Sequence, residues 1–201
     1  DNYLSEMVMD LSDHFTSSIV YLTGKGNFRD EVAITQPYKG NRDDKRVPVH
    51  KNLLRDFMVS EWNAQVVDGM EADDAIAIKA TELNHNAIIC SLDKDFKQVP
   101  CFMYNYTKKV LTAVKKDDAM RWLYKQALMG DRVDNIPGIY GVGPKKADKI
   151  IDPCATDWEC YSTCLTPYWD NDLDEDRLLE SLNLLYLLRS PEDRYEKPSE
   201  I

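Results

Sequence analysis

Ala87-Ile88-Ile89-Cys90-Ser91-Leu92-Asp93-Lys94-Asp95-Phe96 is the stretch on which the fold turns. Residues 87–92 form an apolar run bounded by Asn86 and Asp93, the pattern of a strand buried on both faces. An aspartate at the carboxyl end of such a strand, with a turn after it, stands where open α/β sheets place their ligands.

Upstream of this strand, Glu71–Leu83 carries Ala72, Ala75, Ile76, Ala80 and Leu83 on a helical period, with acidic residues in its first turn. Gln65–Val67 reads as a short strand, and Val49–Trp62 as a helix whose apolar face is Leu53, Leu54, Phe57 and Met58. Ser18–Leu22 is β-branched and aromatic enough for a strand, and Leu4, Met7, Leu11 and Phe15 predict an amphipathic first helix. Downstream, Cys101–Tyr106 and Lys109–Val114 predict a hairpin, and Asp117 or Asp118 is expected to cap a helix reaching Met129. Beyond residue 130 no strand pattern remains; Gly143–Ile151 and Asp174–Arg189 read as helices, the latter with Leu178, Leu182, Leu185 and Leu188 on one face, and Glu192–Ile201 as a polar tail. The expected organisation is an α/β domain over residues 1–115 followed by a helical part over 116–201.

Seven carboxylates occupy three tight groups at the ends of these elements: Glu71, Asp73 and Asp74; Asp93 and Asp95; Asp131 and Asp134. Each group alone is ambiguous, since acidic residues favour helix starts and aspartates favour turns. Together they occupy places where side chains from separate elements converge. Like charges brought near one another need cations, and hard oxygen ligands suit Mg²⁺ or Mn²⁺.

Residues 138–147 read Gly-Ile-Tyr-Gly-Val-Gly-Pro-Lys-Lys-Ala. Gly141 and Gly143 allow close approach of backbone to a ligand, Pro144 suits the first helical position, and Lys145 and Lys146 lie in a first turn where the helix dipole disfavours cations. A phosphate at that helix start reconciles these features, held by backbone N–H groups that do not read base identity. The basic segment Tyr38-Lys39-Gly40-Asn41-Arg42 is a weaker signal, open to reading as a solvated loop.

A formal charge of −10 over 201 residues argues against nucleic acid only on average, because the clustered carboxylates supply most of it and bound ions would reverse the local sign. The five cysteines show no metal-ligand spacing and are expected as reduced, partly buried thiols. No apolar stretch is long enough for a membrane span, and a cytosolic setting is expected. There is no Ser/His/Asp or Cys/His nucleophile set and no Walker-type loop.

Glu-Ala-Asp-Asp at 71–74, Ser-Leu-Asp-Lys-Asp-Phe at 91–96 and Gly-Asp-Arg-Val-Asp-Asn-Ile-Pro-Gly-Ile-Tyr-Gly-Val-Gly-Pro-Lys-Lys-Ala at 130–147 resemble the 5′ nuclease (flap endonuclease) family. That family includes the 5′-3′ exonuclease domain of bacterial DNA polymerase I and bacteriophage exonucleases, and the chain looks most like the phage members. The resemblance spans about Tyr21 to Ile151. It implies a PIN-like (Rossmann-like), mostly parallel sheet flanked by helices, and a C-terminal helix–three-turn–helix at about 131–151 that grips duplex DNA, with a K⁺ ion near Gly141–Gly143. It implies that Glu71, Asp73, Asp74, Asp93, Asp95, Asp131 and Asp134 are the metal-site carboxylates, and that Lys39 and Arg42 approach the scissile phosphate or the 5′ strand. Family members begin with a strand ending in a metal-binding Asp, and this chain is expected to lack that strand. Thr23 stands where many relatives carry Asp and is expected to orient a metal-bound water.

The function implied is hydrolysis of DNA bearing a 5′ end or flap by a monomer, in the host cytoplasm if phage-encoded, with two Mg²⁺ ions ~3.5–4 Å apart and Mn²⁺ able to substitute. Two alternatives stay open. One is an RNA-directed nuclease, either a primer remover acting on RNA–DNA hybrids or a PIN-type ribonuclease; the other is a non-catalytic module that binds DNA structures.

Overall fold

The computed structural model describes residues 6–7, 10–42 and 47–200, and the expected first helix falls partly outside them. Within that stretch Leu11 is buried, and Asp10 accepts a hydrogen bond of 2.9 Å from the Tyr104 hydroxyl.

Two short strands open the α/β part. Strand β1 (Tyr21–Thr23) pairs in parallel with β2 (Gln65–Val67), Leu22 opposite Val66. The crossover between them holds a short helix α1 (Arg29–Val32), a 3-10 turn at Gly40–Arg42 and helix α2 (Lys51–Trp62). The apolar face expected of α2 is present but bare: Leu53 and Leu54 are 68% and 60% exposed, and no residue of the helix is buried.

Helix α3 (Ala72–Glu82) leads to β3 (Ile88–Cys90), a 3-10 turn at Lys94–Gln98, β4 (Phe102–Asn105) and β5 (Val110–Ala113). β3 runs parallel to β4, and β4 pairs with β5 as the expected hairpin. The strands are shorter than their apolar runs, and β1–β2 is not hydrogen-bonded to β3–β4–β5, so small sheets stand where one mostly parallel sheet was expected.

Helix α4 (Lys116–Met129) is followed by a two-residue ladder absent from the sequence reading, β6 (Gly130–Asp131) against β7 (Ile136–Pro137). Its cause is local. A Cβ on Gly130 would lie 2.2 Å from Gly138 N, so two glycines let backbone pack on backbone.

Helices α5 (Pro144–Ile151), α6 (Asp157–Trp169) and α7 (Glu175–Leu185) complete the chain. α6 was not expected because its buried face is Cys160, Tyr161, Cys164 and Tyr168 rather than leucine, and Pro167 sits near its end. Its start was nonetheless marked: Thr156 and Glu159 have capping-box spacing, and Thr156 Oγ1 accepts from Glu159 N at 3.1 Å. α7 stops at Leu185 instead of Arg189, since side chains take over the next backbone groups: Arg29 binds Leu184 O and Tyr186 O, and Gln98 and Asp74 accept from Leu187 N and Leu188 N. Leu188 is still buried, on extended chain.

One apolar cluster joins Leu123, Leu128, Ile151, Leu178 and Leu182 with Tyr38 and Ile78, so packing crosses residue 115. Each fully buried leucine there contributes about 1.5–3 kcal/mol. The expected polar tail also returns to this core, with Tyr195 edge-on to both Tyr124 and Tyr186. All five cysteines are free, and Cys101, Cys154, Cys160 and Cys164 are buried. Among the described residues no helix is long and apolar enough to cross a membrane.

Candidate active site

Each acidic group is set by local turn chemistry. Glu71 is the extended residue before α3, where Asp74 Oδ2 accepts from Glu71 N at 3.1 Å and Thr23 Oγ1, at the end of β1, accepts from Ala72 N at 3.0 Å. Asp93 follows β3 and opens the 3-10 turn by accepting from Asp95 N at 2.9 Å. Asp131 lies in β6, and its Oδ1 accepts from Val133 N at 2.7 Å and Asp134 N at 3.3 Å. These bonds aim the side chains.

The basic segment is folded directly onto this cluster. Lys39 Nζ pairs with Glu71 Oε1 and lies 3.6 Å from Asp134 Oδ2, while Arg42 Nη2 is 2.5 Å from Asp134 Oδ1. Backbone and amide contacts clasp the two loops: Lys39 N donates to Asp134 O (3.0 Å), Asn41 Nδ2 to Arg132 O (2.7 Å), and Asn135 Nδ2 to Pro37 O (2.9 Å). Lys39 and Asn135 both adopt left-handed backbone, φ 55° and 61°, a strain of about 1–2 kcal/mol each that the clasp maintains. The Tyr38 hydroxyl stands 3.1 Å from Glu71 Oε2 and 3.0 Å from Asp134 Oδ2, so its single proton serves one carboxylate at a time. Burial and the Glu71 charge push this phenol far above its ordinary value, and it remains a donor.

The carboxylates sense one another across element boundaries. Burial, then repulsion from Asp93 and Glu71, raises Asp73 to about 6. Burial, then repulsion from Asp93 and Asp131, raises Asp95 to about 7. Asp134 is raised mainly by burial, which outweighs the nearby Lys39 and Arg42. For Asp131 burial works in the same direction, but the Lys94 ammonium at 2.8 Å and two backbone N–H groups prevail and hold it below its ordinary value. Hard oxygen donors under mutual repulsion fit a divalent cation chemically. Among the described residues, however, no three His, Cys, Asp or Glu side chains stand close enough to enclose one, and Lys39, Arg42 and Lys94 supply the neutralising charge.

Asp74 is placed differently from its neighbours. It is 0% exposed, and its oxygens receive Arg29 Nη1 (2.6 Å) and Nη2 (2.8 Å) in a bidentate pair, with Leu188 N at 3.3 Å. Arg29 itself carried no sequence signal. Nor did Gln126, whose Nε2 donates to Asp95 Oδ1 at 2.6 Å from the middle of α4, or Asp68, whose Oδ1 accepts from Lys25 N at 2.6 Å. Lys94 was legible only as the residue between two aspartates.

The glycine turn at residues 138–143 leads into α5. Ile139, Val142 and Ala147 are buried and anchor it, while Tyr140 is 93% exposed and a Cβ at Gly141 or Gly143 would meet nothing within 4 Å. Gly143 O accepts from Lys146 N and Ala147 N, starting α5, and Lys145 and Lys146 point into solvent.

No family model matches the chain. The DNA polymerase I of Bacillus caldotenax is 30% identical over 155 residues, 66% of this chain and 17% of that protein. The exonuclease of Escherichia phage T7 is 30% identical over 147 residues, 69% of this chain and 48% of that protein. A crystal structure of the bacteriophage T5 flap endonuclease with DNA and metal ions superposes with a TM-score of 0.67, covering 91% of this chain and 80% of that one at 20% identity. The chain belongs to the 5′ nuclease family. This family member therefore has a PIN-like α/β fold, and it spans less than half the length of the two curated relatives just described.

Proposed function

We propose that this 5′ nuclease family member hydrolyses phosphodiesters in DNA carrying a 5′ end or flap. The observation that supports the reading is the electrostatic coupling of carboxylates from separate elements: Asp73 is raised by burial and by repulsion from Asp93 and Glu71, and Asp95 by burial and by repulsion from Asp93 and Asp131. Glu71, Asp73, Asp93, Asp95, Asp131 and Asp134 are the residues to hold divalent ions, Mg²⁺ or Mn²⁺. When bound, two such ions supply an activated water and charge stabilisation for the leaving 3′ oxygen.

Around that chemistry the chain's own groups have distinct tasks. Lys39 and Arg42, positioned by the clasp on Asp134, face the phosphate and offset the charge that grows on it. Tyr38 holds Glu71 and Asp134 in register. Thr23, bonded to the first turn of α3, sits beside the acidic group and orients water. Asp74 keeps α3 in place through Arg29 rather than contacting an ion. Duplex DNA is held by its backbone at the expected helix–three-turn–helix, about 131–151, through Gly141, Gly143, Lys145 and Lys146, with K⁺ at the turn.

Asp93→Ala and Asp95→Ala test this reading. Mg²⁺-dependent cleavage of a 5′-flap DNA should disappear in both while affinity for the same duplex in chelator stays within about threefold, and unchanged turnover in either would remove that carboxylate from the site. Running an RNA–DNA hybrid beside the flap decides the substrate, because only contacts to 2′-OH groups can favour RNA.

A further inference from the structure

Behind Asp95 runs a fully buried row of side-chain amides. Gln126 is 1% exposed and Gln98 4% exposed. Gln98 Nε2 donates both to Gln126 Oε1 (2.9 Å) and to Leu185 O (2.8 Å), and Gln98 Oε1 accepts from Leu187 N (3.2 Å). Gln126 Nε2 in turn donates to Asp95 Oδ1 (2.6 Å).

The order of donors along this row is not arbitrary. A backbone C=O can only accept and a backbone N–H can only donate, so Leu185 and Leu187 together permit one orientation of the Gln98 amide. That orientation points an N–H₂ at Gln126, whose oxygen must then face it. The remaining N–H₂ of Gln126 is therefore obliged to face Asp95. Either amide turned over would bring two oxygens or two N–H₂ groups together in a dry interior, an unsatisfied arrangement costing about 1–3 kcal/mol.

We infer that Gln126 is a positioning residue for the metal-binding carboxylate Asp95, its donor direction set through Gln98 by the chain leaving α7. The inference rests on the functional reading above. Accepting from Gln126 at Oδ1 restrains rotation of the Asp95 carboxylate, which would then meet an ion in one orientation. Backbone at residues 185–187 thus determines how the Asp95 carboxylate is held.

The test is Mn²⁺ binding to the whole chain, followed by the paramagnetic resonance of free Mn²⁺, for the parent, Gln126→Met and Gln98→Met. Met keeps the volume and removes the amide. Loss of a partner that orients a metal ligand typically weakens the metal about 10–100-fold. That loss is expected for Gln126→Met, and a loss of more than about threefold for Gln98→Met, where Gln126 remains but its direction is no longer imposed. Tyr168→Phe, which removes a buried hydrogen bond to Ala127 O on the same helix without touching Asp95, should leave Mn²⁺ affinity unchanged. A folded Gln126→Met chain that binds Mn²⁺ within about twofold of the parent overturns the inference, as does an equal loss in Tyr168→Phe. Should Gln126→Met not fold, parental affinity in Gln98→Met has the same effect. A parent that binds no Mn²⁺ removes the functional reading itself, and the inference with it.

Discussion

The guanidinium of Arg29 grips both oxygens of Asp74, at 2.6 and 2.8 Å, with the two side chains 2% and 0% exposed. The same Arg29 also binds Leu184 O at 2.8 Å and Tyr186 O at 2.7 Å, tying the start of α3 to the end of α7. Breaking a buried pair by removing one partner costs about 3–5 kcal/mol, because the other charge stays behind uncompensated. Asp74→Ala should lower unfolding stability by that amount in urea melts. The Mn²⁺ affinity of the fraction that remains folded should match the parent, and a loss confined to metal binding would place Asp74 among the ligands instead.

Raised carboxylates leave a signature in pH. Asp73 and Asp95 have folded-state values of about 6 and about 7 against an ordinary 3.8. The folded chain therefore holds more protons than the unfolded one between about pH 4 and 7, and the stability attributable to these groups falls as pH rises through that window. In chelator, Asp95→Asn should raise the Tm at pH 8, with the gain shrinking steadily toward pH 4. A gain independent of pH would disprove the raised value.

Lys39 stands between Glu71 and Asp134, so its loss leaves Glu71 without its ion-pair partner and Asp134 with Arg42 alone. Lys39→Met is expected to lower the metal-free Tm, to increase the Tm rise produced by Mg²⁺, and to reduce flap cleavage by about 10²–10³-fold. Calorimetric melts with and without Mg²⁺, beside single-turnover cleavage, measure all three.

Two glycines with nearly the same backbone angle should respond differently to alanine. Gly130 (φ +68°) would place its Cβ 2.2 Å from Gly138 N, whereas Gly141 (φ +71°) would meet nothing within 4 Å. Gly141→Ala should cost about 1 kcal/mol through its left-handed backbone alone. Gly130→Ala should cost at least about 2 kcal/mol more and displace Asp131, read as a lower melting temperature and weaker Mn²⁺ binding.

Lys145 and Lys146 are exposed on the first turn of α5. If they contact phosphates, Lys145→Ala plus Lys146→Ala weakens duplex binding equally on unrelated sequences and reduces the slope of log K against log salt by about 1 per lysine. Titrations at several salt concentrations on two sequences decide this, and a loss that depends on base sequence would contradict it.

Much of the site could be read from order along the chain. Glu71 before a helix, Asp93 after a strand and Asp131 after a glycine each follow from turn and cap chemistry that acts over a few residues, and local interactions of that kind are written in local sequence. For the same reason β2, the β4–β5 hairpin and the starts of α5 and α7 lie close to where periodicity and capping put them. The short ladder at Gly130, helix α6 with its cysteine and tyrosine face, and the return of Tyr195 to the core needed partners far along the chain.

Tertiary structure alone decided which oxygens are already spoken for. Seven carboxylates look alike as letters. Only long-range approach distinguishes Asp74, saturated by an arginine 45 residues away, from Asp95, raised to about 7 and held by an amide 31 residues away. Burial, opposing charge and hydrogen-bond direction determine what an acid can do, and all three belong to the space around the side chain, which no single segment of sequence contains.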